Sequence, residues 1–166
     1  MQPEFVREEG RTYKTVADSR TEQVQILLNE HMNGFKRLFG GKLMEWIDIV
    51  AAVVARRHSN CNVTTASIDR LHFQASAHVN DTVILIGRMT YVGKTSMEVR
   101  VDTYIEDLTG QRRMINCAYL VLVALDENER PIEVPGLIPQ TEEERVEWEA
   151  GKRRRALRKQ REKEQF

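Results

Sequence analysis

The stretch Phe39 to Arg57 (FGGKLMEWIDIVAAVVARR) limits the fold more than any other, because it carries apolar residues on nearly every face and no proline. Helix formers such as Leu43, Met44 and Ala51 fill it, so it reads as one helix. A helix that is apolar all round has to be wrapped by protein. Within it Asp48 stands among Trp46, Ile47, Ile49 and Val50, whereas Glu45 lies a turn nearer the start. A carboxylate buried there is costly unless it is paired or faces a wet cleft. Asp48 is therefore either a general base or nucleophile, or a carboxylate hydrogen-bonded to backbone or to Arg at a dimer seam. Gly40 and Gly41 open the helix although glycine weakens helices, which calls for a close approach there. That approach is either tight packing under a sheet or another chain or ligand near the backbone. The first helical amides are unpaired, so a carbonyl oxygen placed on them would be polarised as its charge grows.

Around this helix the pattern is that of β-structure. Arg20 to Leu28 reads as extended, and Asn33-Gly34 marks a loop before the helix. Met97 to Ile105 alternates as a half-buried strand, while Val83 to Met89 and Ile115 to Leu125 are continuously apolar, as strands covered on both faces are. Val63 to Phe73 is a weaker strand candidate. Short turns at Asn80-Asp81, Val92-Gly93-Lys94, Leu108-Thr109-Gly110 and Asp126-Glu127-Asn128 imply antiparallel pairing, with Arg20 to Leu28 as a fifth strand. Pro131 to Pro139 then leaves the sheet as an extended arm. Thr141 N-caps a last helix with Glu142, Glu143 and Glu144 in its first turn. The expected class is α+β: one antiparallel sheet curled around one long helix over residues 1–140, followed by a charged helical tail over 141–166.

Charge is balanced, with 25 Lys+Arg against 25 Asp+Glu, but unevenly distributed. Lys152 to Phe166 holds eight Lys and Arg against two Glu. Such a run suits a nucleic-acid or anion contact, and equally a solvated terminal helix. The polar start, Met1 to Thr12, is unlike a secretory signal, and the apolar stretches are too short for a bilayer span, which points to the cytoplasm. Cys61 and Cys117 show no CxxC or zinc spacing and read as small buried hydrophobes. Gly87 to Thr95 (GRMTYVGKT) departs from a Walker loop by one residue and joins two strands, which leaves Gly93, Lys94, Thr95 and Ser96 as a cationic hairpin able to hold an anion, or as plain turn chemistry. His31, His58, His72 and His78 are scattered, and no Ser-His-Asp elbow or HExxH motif is present.

The residues from Leu38 to Asp48 (LFGGKLMEWID), with Asn33 before them and Gly87-Arg88-Met89-Thr90 and Gly93 to Glu98 (GKTSME) after them, resemble the hotdog-fold acyl-CoA thioesterases, in particular the cytosolic brain-type acyl-CoA hydrolases and their bacterial single-domain relatives. The likeness extends through Val134 to Pro139 (VPGLIP) and Thr141 to Glu144 (TEEE). It implies hydrolysis of acyl-CoA to a fatty acid and free CoA without metal or cofactor. It also implies that hotdog domains pair into a continuous sheet with the site at their seam, as homo-oligomers, commonly trimers of dimers. By matching position, Asn33 from one subunit would act with Asp48 from its neighbour, and the thioester carbonyl would sit at the amides of Gly40 and Gly41. Arg88 and the Gly93, Lys94, Thr95 and Ser96 hairpin would meet the CoA phosphates. One departure stands out: Lys36 occupies a position where the family often has Gly, so Gly34 is expected to supply the turn. Two other readings remain: a hotdog acyl dehydratase using His31 with Asp48, and a nucleic-acid-binding module using Lys152 to Lys163, which lacks an aromatic strand platform.

Overall fold

The computed structural model describes residues 7–165, so residues 1–6 of the polar start lie outside the described part. The elements follow as β1 (Tyr13–Thr15), β2 (Thr21–Ile26), α1 (Gly40–Ser59), β3 (Asn62–Phe73), β4 (Thr82–Val92), β5 (Ser96–Glu106), β6 (Arg112–Leu125), β7 (Gly136–Ile138) and α2 (Glu142–Glu164). Five strands form one antiparallel sheet in the order β2-β4-β5-β6-β3. Short turns make β4, β5 and β6 a meander. β2 and β3 lie at opposite edges, so α1, which joins them in sequence, has to cross the sheet.

The crossing is tight. Leu43, Ile47, Val50, Ala51 and Val54 of α1 pack onto Leu85, Val99, Val101 and Leu120 of the sheet, each Val, Leu or Ile side chain contributing about 1.5–3 kcal/mol through burial. Gly87 permits the approach: a Cβ there would lie 2.7 Å from Val50 Cγ1 and 2.9 Å from Val54 Cγ2. Trp46 is buried in this core and meets His31 edge-on at 5.0 Å between ring centroids.

The wrapping is one-sided. Gly41, Met44, Glu45, Asp48, Ile49, Ala52 and Arg56 form a stripe at helical spacing that the chain itself covers only in part, with Ile49 48% exposed. The apolar composition of α1 thus exceeds what the chain itself covers.

The opposite face of the sheet corrects two expectations. On β5 the polar residues that alternate with Met97, Val99 and Val101 do not face water, since Glu98 is 1% and Asp102 3% exposed. The basic run that covers Glu98 is not a freely solvated helix either. Arg154 grips Glu98 with two nitrogens, at 2.8 Å to Oε1 and 3.1 Å to Oε2. Arg158 donates to Glu98 at 3.0 Å and to Asp69 of β3 at 3.0 Å, and the Thr90 hydroxyl completes the Glu98 carboxylate at 2.7 Å. Burial pushes the Glu98 carboxyl up, but the hydrogen bonds and charge of Arg154, Thr90 and Arg158 outweigh it and hold Glu98 below the ordinary glutamate value. Gly151 lets α2 lie against Tyr91, whose ring meets Trp148 at 5.3 Å. A capping box starts the helix: Thr141 Oγ1 accepts from the Glu144 amide, and the Glu144 carboxylate accepts from the Thr141 amide.

The arm after β6 does not run free. The Val134 amide donates to Lys94 O, and β7 pairs in parallel with β1. His58 Nε2 donates to Pro135 O at 2.7 Å, and burial holds this histidine below its ordinary pKa.

Candidate functional site

The loop between β2 and α1 is built on Asn33. Its Oδ1 accepts from the amides of Phe35 at 2.9 Å and Arg37 at 3.2 Å, and its backbone pairs with Arg37 and Lys36. This occupies the side-chain oxygen and leaves the amide Nδ2 as the group able to donate outward. The left-handed residue of the turn is Lys36, with φ +57°, and Gly34 is not in that region. The turn thus takes its left-handed conformation at Lys36, with a side chain attached, and not at Gly34 as expected.

The loop ends where Phe39 donates to His31 O and N-caps α1. Among the described residues the amides of Gly40 and Gly41 have no acceptor, as the first amides of a helix do not. The Phe39 ring folds over Gly41, where a Cβ would lie 2.7 Å from it, and Phe73 of β3 stands 3.5 Å from the Cβ position of Gly40. The glycine pair is thus explained by aromatic side chains of the chain itself.

Asp48 lies in the partly covered stripe of α1 and is half-buried, not sunk in the core as the apolar composition around it suggested. Its partner comes from the sheet edge: the Thr65 hydroxyl of β3 donates to Asp48 Oδ1 at 2.6 Å. That short bond orients the carboxylate and leaves Oδ2 for another proton. Thr65 was not singled out from sequence. Nothing local marks it, because only the crossing of α1 to the β3 edge brings it to Asp48. Asn33 and Asp48 are not bonded to each other within the chain; each has the partners just described.

The Gly93–Ser96 hairpin closes with Gly93 N donating to Ser96 O at 2.8 Å. Arg11 donates to the carbonyls of Gly93 and Val134, and the Arg155 guanidinium of α2 lies against Gly93, 3.3 Å from the place of a Cβ. Lys94 is exposed between them. Arg88 does not join this group. Its guanidinium stands 3.6 Å from both Asp102 and Glu143, under the start of α2.

Other titratable groups are placed away from Asp48. His31 is buried, accepts the Leu28 amide at Nδ1 and faces Trp46, which removes it from the role a dehydratase base would need. Cys117 lies on the α2 side of the sheet beside Asp102, and burial pushes its thiol up to about 11, so it is a poor nucleophile. Among the described residues no three His, Cys, Asp or Glu side chains gather as a metal-holding group, and no helix is long and apolar enough to cross a membrane.

Residues 35–110 match the family model described as Thioesterase superfamily. YkhA of Bacillus subtilis, an uncharacterized acyl-CoA thioester hydrolase, is 43% identical over 113 residues, which are 68% of this chain and 66% of that protein. The chain spans only 24% of mouse acyl-coenzyme A thioesterase 11 and 32% of the rat cytosolic acyl coenzyme A thioester hydrolase, at 34% identity to each. An apo hexameric acyl-CoA thioesterase superposes with a TM-score of 0.87 at 41% identity, over 90% of this chain and 97% of the other. An acyl-CoA hydrolase from Staphylococcus aureus, solved in complex with butyryl coenzyme A, coenzyme A and coenzyme A disulfide, superposes with a TM-score of 0.87 at 30% identity, over 92% of this chain and 94% of that one. The same hydrolase has been solved with one aspartate, one asparagine or one threonine replaced by alanine. Agreement of this extent, over nearly the full length of chains built on the same sheet and crossing helix, places the protein in a family: it belongs to the hotdog-fold acyl-CoA thioesterases of the thioesterase superfamily.

Proposed function

We propose that the chain hydrolyses acyl-CoA to a carboxylic acid and free CoA, with Asp48 activating water. The observation that carries this reading is the Asp48–Thr65 hydrogen bond on the open face of α1. The three residues replaced by alanine in the S. aureus hydrolase are an Asn, an Asp and a Thr spaced 15 and 17 residues apart, the spacing of Asn33, Asp48 and Thr65. In the proposed step Asp48 takes a proton from water and the water oxygen bonds to the thioester carbon. The amides of Gly40 and Gly41 hold the resulting oxyanion, and the Asn33 Nδ2 orients the water or the carbonyl. The C–S bond then breaks, and the proton held by Asp48 passes to the CoA sulfur. No metal or cofactor takes part.

The open stripe of α1 and the free edge of β3, 12 residues long and largely exposed, support a seam with a second copy. There Asn33 of one subunit would reach the carboxylate of the other. The hexameric relative supports three such dimers. The Gly93–Ser96 hairpin, with Lys94 outermost, is the proposed contact for the CoA phosphates; Arg88, held by two carboxylates, would reach them only by leaving Asp102 and Glu143. Residues 1–140 are taken as the thioesterase unit and 141–166 as its helical extension, in a cytoplasmic protein.

Thiol release from acyl-CoAs of graded chain length, with purified protein, tests the class and reads the substrate together. Dissociating and remixing inactive Asn33→Ala with inactive Asp48→Asn protein should recover part of the activity, through seams that hold one intact pair. Verified hybrids that stay inactive would put both residues in one subunit's site.

A further inference from the structure

β3, the strand that carries Thr65, is an edge strand with two irregularities close together. Within the chain it has a ladder on one side only, to β6. Thr65 stands opposite Leu122, Ser67 opposite Val121, Ile68 opposite Leu120 and Arg70 opposite Tyr119, so Ala66 and Asp69 are bulged residues with no opposite number. Four apart in a regular strand, Thr65 and Asp69 would share a face. The bulge at Ala66 separates them: Thr65 reaches Asp48 on the α1 side, and Asp69 turns to α2. A strand of this kind has more than one way to lie. Absorbing the bulge at Asp69 would slide the residues before it by one position on β6 and turn Thr65 away from Asp48.

The second bulge is held by α2. Arg158 donates to Asp69 Oδ2 at 3.0 Å and to Glu98 Oε2 of β5 at 3.0 Å, and Arg161 stands 3.7 Å from Asp69 Oδ1. Glu98 lies opposite Val121, and Val121 opposite Ser67, so Arg158 staples β3 to β5 across the intervening β6. The side chains of Asp69, Arg158 and Glu98 are 9%, 14% and 1% exposed, so water and salt screen the link little. We infer that Asp69, held by Arg158, is a positioning residue of the hydrolytic site: it fixes the bulge that keeps the Thr65 hydroxyl aimed at Asp48. The basic helix thereby serves the reaction from the opposite face of the sheet, without touching substrate. The inference rests on the Asp48–Thr65 reading proposed above.

The test is steady-state thiol release from acyl-CoA by Asp69→Ala, Thr65→Val and the two combined. Arg112→Gln, which breaks ion pairs to β5 and β2, is the control and should match wild type. Asp69→Ala should lower kcat about tenfold, within the roughly 10²-fold that a misplacement of about 1 Å can cost. KM should stay unchanged, because Asp69 lies on the face away from the site. In the Thr65→Val background, where no hydroxyl remains to be aimed, Asp69→Ala should lower kcat no further. Asp69→Asn keeps an acceptor of the same shape and should recover part of the loss. Should Asp69→Ala not fold, as circular dichroism would show, Arg158→Gln leaves α2 held by Arg154 on Glu98 and should give the same two results. A slow Thr65→Val beside an Asp69→Ala at the wild-type rate overturns the inference alone. An equal fall in both backgrounds also overturns it, since Asp69 would then act by a route other than Thr65, and a rise in KM alone overturns it by placing α2 in substrate binding. Thr65→Val at the wild-type rate overturns the inference together with the Asp48–Thr65 reading.

Discussion

The two helices lie on opposite faces of one sheet and are held there by different forces. α1 buries a row of aliphatic side chains and needs no charge to stay in place, whereas α2 buries little besides Gly151 and is anchored by Arg154 and Arg158 on Glu98 and Asp69. Apolar contact is non-directional, so α1 stays bound while one of its faces remains open for Asp48. Ion pairing is directional and, with Glu98 out of water, cannot lose one partner without leaving the other buried. The proposed site therefore stands on the helix whose attachment is independent of its polar residues.

Asp48→Asn is the sharpest way to probe this division. The substitution keeps the shape and cannot take a proton at neutral pH, so thiol release should fall by about 10²–10⁴-fold, the range of general base catalysis, while the melting temperature stays within error. Retained activity would remove Asp48 from the proton transfer. Next in size is Glu98→Ala, which leaves two guanidiniums without their shared carboxylate. About 3 kcal/mol should be lost in urea unfolding, at the low end for a broken buried pair because both arginines keep some access to water. Because Glu98 titrates below its ordinary value of 4.5, its contribution is complete above that pH and is lost as pH falls below it. The difference between wild type and Glu98→Ala should accordingly shrink only in acid. A difference that stayed constant to low pH would mean that charge is not what holds α2.

Gly87→Ala tests the other helix without any charge. Its Cβ would press on Val50 and Val54, which should cost about 1–3 kcal/mol with no dependence on salt, whereas the Glu98 effect should weaken partly in salt. The smallest expected effect is at Lys36→Gly. Relief of a left-handed φ, worth about 1 kcal/mol, is offset by about 0.5–1 kcal/mol of added chain entropy, so stability and activity should both stay close to wild type.

What could be read in the sequence follows the range of the interactions. α1, the meander and the Thr141 cap declare themselves through local period and capping chemistry, and the strand from Arg20 needed only the turn grammar around it. The partners of β3 on β6 are 43 or more residues further on, from Phe73 with Asn116 upwards, and β3 lies at the far edge from β2; no local signal reports a pairing of that kind. Thr65 was invisible for the same reason. The polar face of β5 looked like a solvent face because alternation tells only that two faces differ, not what covers each. The basic run looked free because its counter-charges, Glu98 and Asp69, are some sixty and ninety residues away. Asp48, Gly40 and Gly41 were legible as oddities of composition, and the structure explains each by a neighbour the sequence could not name.

The same arrangement equips the protein with its own optical reporters. The chain holds two tryptophans, one in each helix. Trp46 is closed into the core edge-on to His31, and Trp148 lies between Tyr91 and the Lys152 ammonium on the far side of the sheet. Trp46 is buried and Trp148 only half-buried, so their emission should differ in colour and in access to dissolved quenchers. Replacing one or the other by Phe isolates the signal of a single helix, and the release of α2 can then be followed by light apart from the melting of α1.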